Sequence, residues 1–481
     1  MPRSIILIDF FLSLFFIGGF RTLKRVILES TSVSTNNTII IGAGSRSANI
    51  IKGFLSKEID YNPLVIVDED RKNIGTYISN IKVHSLDDLE FIVQKHSITA
   101  AIIAKEFKAV ELNELFDRLN EIGINDVKKA LFLDDSQKEL KELSIEDLLA
   151  REPKDLDMDV VESFVKNRSI LITGGGGSIG SEIASQCAKM GAKSIRLVDS
   201  SEYNLYAIGE DLSNYPIKLT LGSVCEKELL DAIFSEDKPE IVIHAAAYKH
   251  VPLVEANIAE AIKNNILGTK NCIDVAIAHS VQKIVLISTD KAVRPTNVMG
   301  ATKRVCELYA QNVDSKASEI VSVRFGNVLG SRGSVIPKFK KQIKNGGPIT
   351  VTHKDVKRYF MMIKEACALV LQAASIARGG EIFILDMGEP VKISELAKKM
   401  LRLYNRDDIE IVYTGLRPGE KLYEELLIDE SDKKTAYESI HVAKETEYDI
   451  DVLSGQIEYL LKTERKIEAL TNIVKEFEHK E

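Results

Sequence analysis

The sequence predicts an α/β protein of two successive Rossmann-like doubly wound parallel sheets, the second with an added α/β substrate-binding subdomain. Three observations lead there. Residues 38–41 and 169–173 are apolar runs of strand length, and each opens into a glycine-bearing turn, the first with Gly42 and Gly44, the second with Gly174, Gly177 and Gly180. After each turn come apolar residues at helical spacing and then another apolar run that ends on an acid, Asp68 in the first copy and Asp199 in the second. Finally, 481 residues are too many for one hydrophobic core, so the two patterns belong to two domains.

Composition narrows the partners. Lys and Arg number 63 against 71 Asp and Glu, a mild acidity that gives no general attraction for nucleic acid. Local basic clusters therefore point to a small anionic ligand. The five cysteines (Cys187, Cys225, Cys272, Cys306 and Cys367) are far apart, with no Cys-x-x-Cys pair and no histidine at ligand spacing. They read as free thiols in a reducing compartment, and no metal site is expected.

Along the chain, residues 5–20 form the one stretch apolar enough to leave water, flanked by Arg3 and by Arg21, Lys24 and Arg25. It is marginal for a span of roughly 20 residues. No small-residue cleavage site follows, so residues 1–25 read as a membrane-associated segment whose basic flank leaves the rest of the chain in the cytoplasm. Residues 36–140 form the first domain, with a degenerate fingerprint because Ser47 stands at the third glycine position. Such a domain suits packing or subunit contacts better than a ligand. The charged residues 141–168 read as a linker or helical entry, and residues 169–481 as the second domain.

The second fingerprint has every part in order. Gly174, Gly177, Ser178, Ile179 and Gly180 bring backbone and a helix N-terminus to a pyrophosphate, and Asp199 suits the adenosine ribose hydroxyls, favouring NAD over NADP. The run IVIHAAA, residues 241–247, includes Ala245 and Ala246, small enough to pack on a flat cofactor; Lys249 and, on the next helix, Asn265 come after it. A further strand, 283–287, then delivers STDKAVRPTNVMGATK. Here a hydroxyl, a carboxylate and an amine adjoin at Thr289, Asp290 and Lys291, with a second amine at Lys303. Met299 and Lys303 have the spacing of the Tyr-x-x-x-Lys pair of short-chain dehydrogenases, but a thioether carries no proton.

Beyond Asn327, residues 328–430 are rich in cations in Gly/Pro loops: Arg332 and Lys338, then Arg358, then Arg417 with Glu420. Guanidinium matches phosphate oxygens bidentately, so these loops point to a diphosphate. The tail from residue 457 has the pattern of a charged amphipathic helix.

The motifs HAAAYKHVPLVE, STDKAVRPTNVMGATKR, RFGNVLGSRGSVIPKF and GLRPGEKLYEEL resemble those of the long, membrane-anchored UDP-N-acetylglucosamine 4,6-dehydratases of bacterial polysaccharide and glycoprotein synthesis. The first-domain pattern and the apolar segment extend the resemblance over nearly the whole chain, and in particular to the C6 dehydratase of bacillosamine synthesis for protein glycosylation. Met in place of Tyr is usual in that long form, and retention at carbon 5 is associated with it. The resemblance implies NAD as cofactor and a UDP-sugar substrate bound through Lys249, Asn327, Arg332, Arg358, Arg417 and Glu420. It also implies a homo-oligomer at the bacterial inner membrane with its catalytic domain on the cytoplasmic side. In the implied reaction Asp290 is the acid, which needs desolvation to donate at neutral pH, and Lys291 is the base, its pKa pressed down by NAD⁺ and Lys303. Thr289 and Lys303 would relay the proton of the sugar's 4-hydroxyl. A nucleotide-sugar epimerase, or a catalytically silent NAD sensor or scaffold, stays open as an alternative.

Overall fold

The computed structural model describes residues 36–55, 59–132, 138–149, 155–425 and 433–480, with five isolated positions before them. Apart from those positions, the apolar stretch 5–20 lies outside the described residues. Among the described residues no helix is long and apolar enough to cross a membrane. The chain divides into two compact units, one of Met1–Leu148 with Arg402–Arg406 and one of Leu149–Leu401 with Asp407–Glu481.

In the first unit the strands β1 (Asn37–Ile41), β2 (Asn62–Asp68), β3 (Tyr77–Ile78), β4 (Ile81–Ser85), β5 (Ala100–Ile103), β6 (Asp126–Phe132) and β7 (Lys138–Glu142) make one sheet. Its order is β3-β4-β2-β1-β5-β6-β7. The inner five are parallel, while β3 and β7 pair antiparallel at the two edges. Helix α1 (Ser45–Leu55) follows the glycine turn. The strand β7 straddles the boundary expected at residue 140, so that its last two residues lie where the sequence pattern reads as linker. KELKE has no apolar stripe to drive a helix, and pairing with β6 satisfies its backbone; charges on an edge strand also discourage a further chain from adding.

The second unit is organised by a sheet built from β8 (Ser169–Thr173), β9 (Ser194–Asp199), β10 (Ile217–Leu221), β11 (Ile241–His244), β12 (Lys283–Ile287) and β13 (Glu319–Arg324). Later come β14 (Asn327–Leu329), β15 (Ile349–Val351), β16 (Lys357–Arg358), β17 (Phe360–Met362), β18 (Ile382–Leu385), β19 (Val391–Lys392), β20 (Ile411–Tyr413), β21 (Lys433–Lys434) and β22 (Ile440–Val442). The sheet order is β10-β9-β8-β11-β12-β13-β18-β22-β21, and β14 with β17, β15 with β20 and β16 with β19 make small pairs beside it. From β10 to β18 all neighbours are parallel.

Both faces of this sheet are covered, which is why its strands read as unbroken apolar runs. Ile170 and Ile172 of β8 enter one core layer while Leu171 enters the other; Val285 and Ile287 of β12 oppose Ile284 and Leu286 in the same way. Each such side chain contributes about 1.5–3 kcal/mol by leaving water. The C-terminal tail is not one helix but two, Ile450–Lys462 and Lys466–Ile473, whose Leu453, Ile457, Leu460, Leu470 and Ile473 join the second layer. Because the chain runs β8, β9, β10 outward and then returns to β11, a crevice opens between the carboxyl ends of β8 and β11.

Candidate active site

The crevice is shaped by missing side chains. The turn after β8 leads into helix α2 (Ser178–Lys189), and Gly174 sits at φ +67°, a backbone conformation that costs glycine little. A Cβ on Gly174 would lie 2.7 Å from the Ala246 nitrogen, and one on Gly180 only 2.2 Å from the Gly174 carbonyl oxygen. The turn thus presses against the Ala245–Ala246 backbone and against its own helix, with the Gly175 and Gly177 N–H groups bonded to the Val198 and Gly174 carbonyls. The Asp199 carboxylate accepts from the Gly176 N–H at 2.9 Å and the Ser201 N–H at 2.8 Å, which ties the end of β9 to the turn. This cradle fits a dinucleotide: the turn can approach a pyrophosphate without side-chain obstruction, and an acid ends the second strand.

The catalytic candidates stand at the end of β12. Past Ile287 the chain stays paired with β13, the Ser288 N–H donating to Val323 and the Asp290 N–H to Phe325. Thr289 donates from Oγ1 to Asp290 Oδ1 at 2.8 Å, and Lys291 Nζ reaches the same oxygen at 3.0 Å. Asp290 is 1% exposed, and its Oδ2 has no hydrogen-bond partner among the described residues. A Cβ on Gly326 would press on that oxygen at 3.2 Å. Helix α3 (Val298–Asn312) packs against this stretch through Gly300, where a Cβ would come within 2.1 Å of the Lys291 carbonyl oxygen. That close approach brings Met299 and Lys303 to the same cavity as Thr289 and Lys291.

The pKa values of the two amines move in opposite directions. Burial pulls the pKa of Lys303 down, and among the described residues its ammonium has no ion-pair partner. For Lys291, burial also works against the charge, but the carboxylates of Asp290 and Glu424 outweigh it and hold the amine above the ordinary lysine value. Among the protein's own groups the net push is therefore upward, whereas the depression expected from the sequence counts NAD⁺ as well. Its neighbours include two carboxylates, and Arg358 is the cation that opposes them.

One cavity of about 840 Å³ joins cradle and catalytic residues, lined by Gly174, Gly177, Ser178, Ile179, Gly180 and Ala245, by Lys249, Thr289, Lys291, Lys303 and Asn327, and by Arg332, Arg358, Arg417 and Glu420. The remaining sequence candidates support it from behind. Asn265 is fully buried; it accepts from the Tyr248 N–H at 2.8 Å and donates to the Tyr248 carbonyl and to Thr302, so it fixes the turn after β11. Ala246 contributes backbone under Gly174.

The cations sort differently from the sequence expectation of one diphosphate cluster. The Arg332 guanidinium bonds Asn204 Oδ1 and the Gly176 carbonyl, and the Arg332 backbone N–H donates to Ser178 Oγ at 3.1 Å, which places the residue over the glycine turn. Arg358 is spent on Glu420 at 3.1 Å and on the carbonyls of Lys357, Lys421 and Leu422, so it clamps the 420–424 segment. Arg417 remains at the cavity, near enough to Lys338 to press its pKa down after burial has done so. Lys249, its pKa lowered by burial and by Lys291, reaches Ser331 at 3.4 Å.

Sequence reasoning missed what lies beneath. Glu307, fully buried, takes Arg324 bidentately at 2.7 and 2.6 Å, Ser288 at 2.6 Å and Arg304 at 3.3 Å. The signal was Arg324 itself, since an arginine ending an apolar strand demands a buried carboxylate. His244, between Thr173 and Thr269, has its pKa pushed to about 3 by burial and by Lys303, and it stays neutral.

A dinucleotide cradle and, on the same cavity, the strand-end hydroxyl of Thr289 and amine of Lys291 over the buried Asp290 carboxylate mark a protein of the extended short-chain dehydrogenase type. Residues 170–445 match the model of the family described as polysaccharide biosynthesis protein, and the chain belongs to that family. It is 42% identical over 479 residues to the capsular polysaccharide biosynthesis protein CapD of Staphylococcus aureus, across 95% of this chain and 78% of that one. The X-ray structure of Pen from Bacillus thuringiensis shares 34% identity at a TM-score of 0.55, across 63% of this chain and 99% of that one. DesIV of Streptomyces venezuelae, a dTDP-glucose 4,6-dehydratase solved with NAD and TYD bound, has the same fold at 20% identity and a TM-score of 0.50, across 61% of this chain and 96% of that one.

Proposed function

We propose that this chain is a UDP-N-acetylglucosamine 4,6-dehydratase that forms the UDP-4-keto-6-deoxy sugar for a bacterial glycan. The observation that carries this is the Thr289–Asp290–Lys291 cluster: a buried acid beside an amine at the strand end, where a redox-only site would need neither. The Gly174–Gly180 turn, Asp199 and Lys303 would hold NAD, which would supply a reversible store for the hydride of carbon 4. Thr289 takes the proton of the 4-hydroxyl as its own hydroxyl passes its proton to Asp290, with Lys303 beside it. The ketone at carbon 4 acidifies the hydrogen on carbon 5, which Lys291 removes as a proton and gives back to carbon 5 when carbon 6 is reduced. Asp290 protonates the departing 6-hydroxyl, so one water leaves and the cofactor ends as it began. Lys338 and Arg417, close together with few carboxylates near them, suit the diphosphate. The apolar stretch 5–20 would hold the enzyme at the inner membrane.

The test is incubation with UDP-N-acetylglucosamine followed by mass spectrometry. Loss of one water without added NADH supports the reading. An isobaric product makes the chain an epimerase, and an unchanged substrate makes it a sensor or scaffold. Asp290→Asn should keep NAD and UDP-sugar binding while losing most turnover, and near-normal turnover in that variant would remove Asp290 from the acid role.

A further inference from the structure

Lys291, the proposed base, lies among carboxylates that favour its charged form, so something must decide when it gives up its proton. Lys291 Nζ lies 3.0 Å from Asp290 and 3.7 Å from Glu424, and 3.4 Å from the uncharged Asn327 amide oxygen. Asp290 is needed elsewhere, as the acid. Glu424 has no such duty: its side chain is 4% exposed, it sits behind the amine, and its other close partner is Arg358 at 3.6 Å. We propose that Glu424 is a positioning residue that holds Lys291 back as an ammonium until substrate engages the site, an inference that rests on Lys291 being the base.

The geometry connects this counter-ion to the substrate end of the cavity. Glu424 ends the short segment that begins with the cavity-lining Arg417 and Glu420, and Arg358 fixes that segment through the carbonyls of Lys421 and Leu422 and the carboxylate of Glu420. A diphosphate drawn to Arg417 acts on the same short stretch that carries Glu424. A displacement of Glu424 by an ångström or two weakens one of the two carboxylate contacts that keep Lys291 charged. The charged groups facing Lys291 are Asp290, Glu424, Arg358 and Lys249, two anions against two cations, and weakening the Glu424 contact tips that balance toward the neutral amine. Substrate binding and creation of the base at Lys291 are thereby one event, in which the amine's proton passes to solvent.

Titration of Lys291 tests this directly. Full-length protein is reductively methylated with ¹³C-formaldehyde, and the Lys291 resonance is identified by its loss in Lys291→Gln. In Glu424→Gln this resonance should titrate at lower pH than in wild type, while Glu424→Asp, which keeps the charge, should leave it near the wild-type position. In the dehydration assay, the acid limb of kcat/KM, which reports the free enzyme, should move to lower pH in Glu424→Gln, whereas the limb of kcat, which reports the substrate complex, should move less. A general structural defect would lower the plateau without moving the limb. An unmoved Lys291 titration in Glu424→Gln, or an equal displacement in Glu424→Asp, overturns the inference. A moved titration in a protein that releases no water from the sugar leaves the electrostatic coupling standing and overturns the dehydratase reading instead.

Discussion

Glu307→Gln is the most informative single change, because Glu307 lies under the catalytic strand end and touches no ligand. Its carboxylate accepts from Arg324 twice, from Ser288 and from Arg304, all within 3.3 Å, with Arg324 and Glu307 both at most 1% exposed. An amide keeps one accepting oxygen and turns an N–H₂ group toward guanidinium donors. It leaves the Arg324 charge uncompensated in the interior, a loss of about 3–5 kcal/mol for a broken buried pair. Urea unfolding followed by far-UV circular dichroism reads this, since the chain has no tryptophan. With two compact units, the transition of the larger unit is the one that should move. The pH dependence has a definite sign. Burial opposes the Glu307 charge, but Arg324 and Arg304 prevail and hold its carboxyl below the ordinary value of 4.5. The stabilisation is therefore fully present above pH 4.5 and is lost as pH falls through the lower folded value, so wild type and variant should converge only in that acidic range. Ser288 immediately precedes Thr289, and turnover should fall even where the variant remains folded. A loss under about 1 kcal/mol at neutral pH, where a broken buried pair ought to cost several, would refute the argument.

Two further perturbations separate the ligands. Arg332→Ala should release NAD from protein that otherwise keeps it through desalting, with UDP-sugar affinity of the NAD-saturated protein little changed; the reverse pattern would return Arg332 to the diphosphate. Gly180→Ala, whose methyl would fall 2.2 Å from the Gly174 carbonyl oxygen, should empty the cradle, while Ser47→Glu in the first unit should leave NAD content unaltered. Cofactor stoichiometry measured by chromatography of the denatured protein checks both, and a Ser47→Glu protein without NAD would move the cofactor to the other unit.

How much the sequence reveals depends on how each feature is encoded. The parallel sheets were legible because burial on both faces writes a strand as a continuous apolar run, as in KIVLI of β12. The cradle was legible because close backbone approach can be met only by glycine. The division of labour among the cations was not, since Arg332, Arg358 and Arg417 look alike in sequence and differ only in what the fold sets beside them. Glu420 was visible as a residue of a basic loop, yet it serves as the arginine's anchor, accepting from Arg358, from Thr352 at 3.0 Å and from the Arg417 N–H at 3.2 Å. The direction of the Lys291 shift was concealed for the same reason: Glu424 is far from it in sequence and reaches it only through the fold.

The two glycine turns show where the functional difference between the units is written. Ser47 in place of a third glycine is the visible departure, yet the structure accommodates it: the Ser47 hydroxyl is buried and donates to the Gly42 carbonyl. The acid at the end of the second strand behaves alike in both, Asp68 accepting from the Ala43 N–H at 2.7 Å where Asp199 accepts from Gly176. The contrast lies one strand further on. β5 stands to β1 as β11 stands to β8, and β11 runs directly into Ala245 and Ala246, small residues that leave the crevice clear. After β5 the corresponding place holds Lys105, whose Cβ lies 2.7 Å from where a Cβ on Gly42 would be. Its amine pairs with Glu69 and lies 3.9 Å from Asp68, so the first crevice carries the chain's own cation against the acid that would otherwise meet a ribose. A repeated fingerprint is thus separated into an open cradle and a self-filled one by a residue outside the motif.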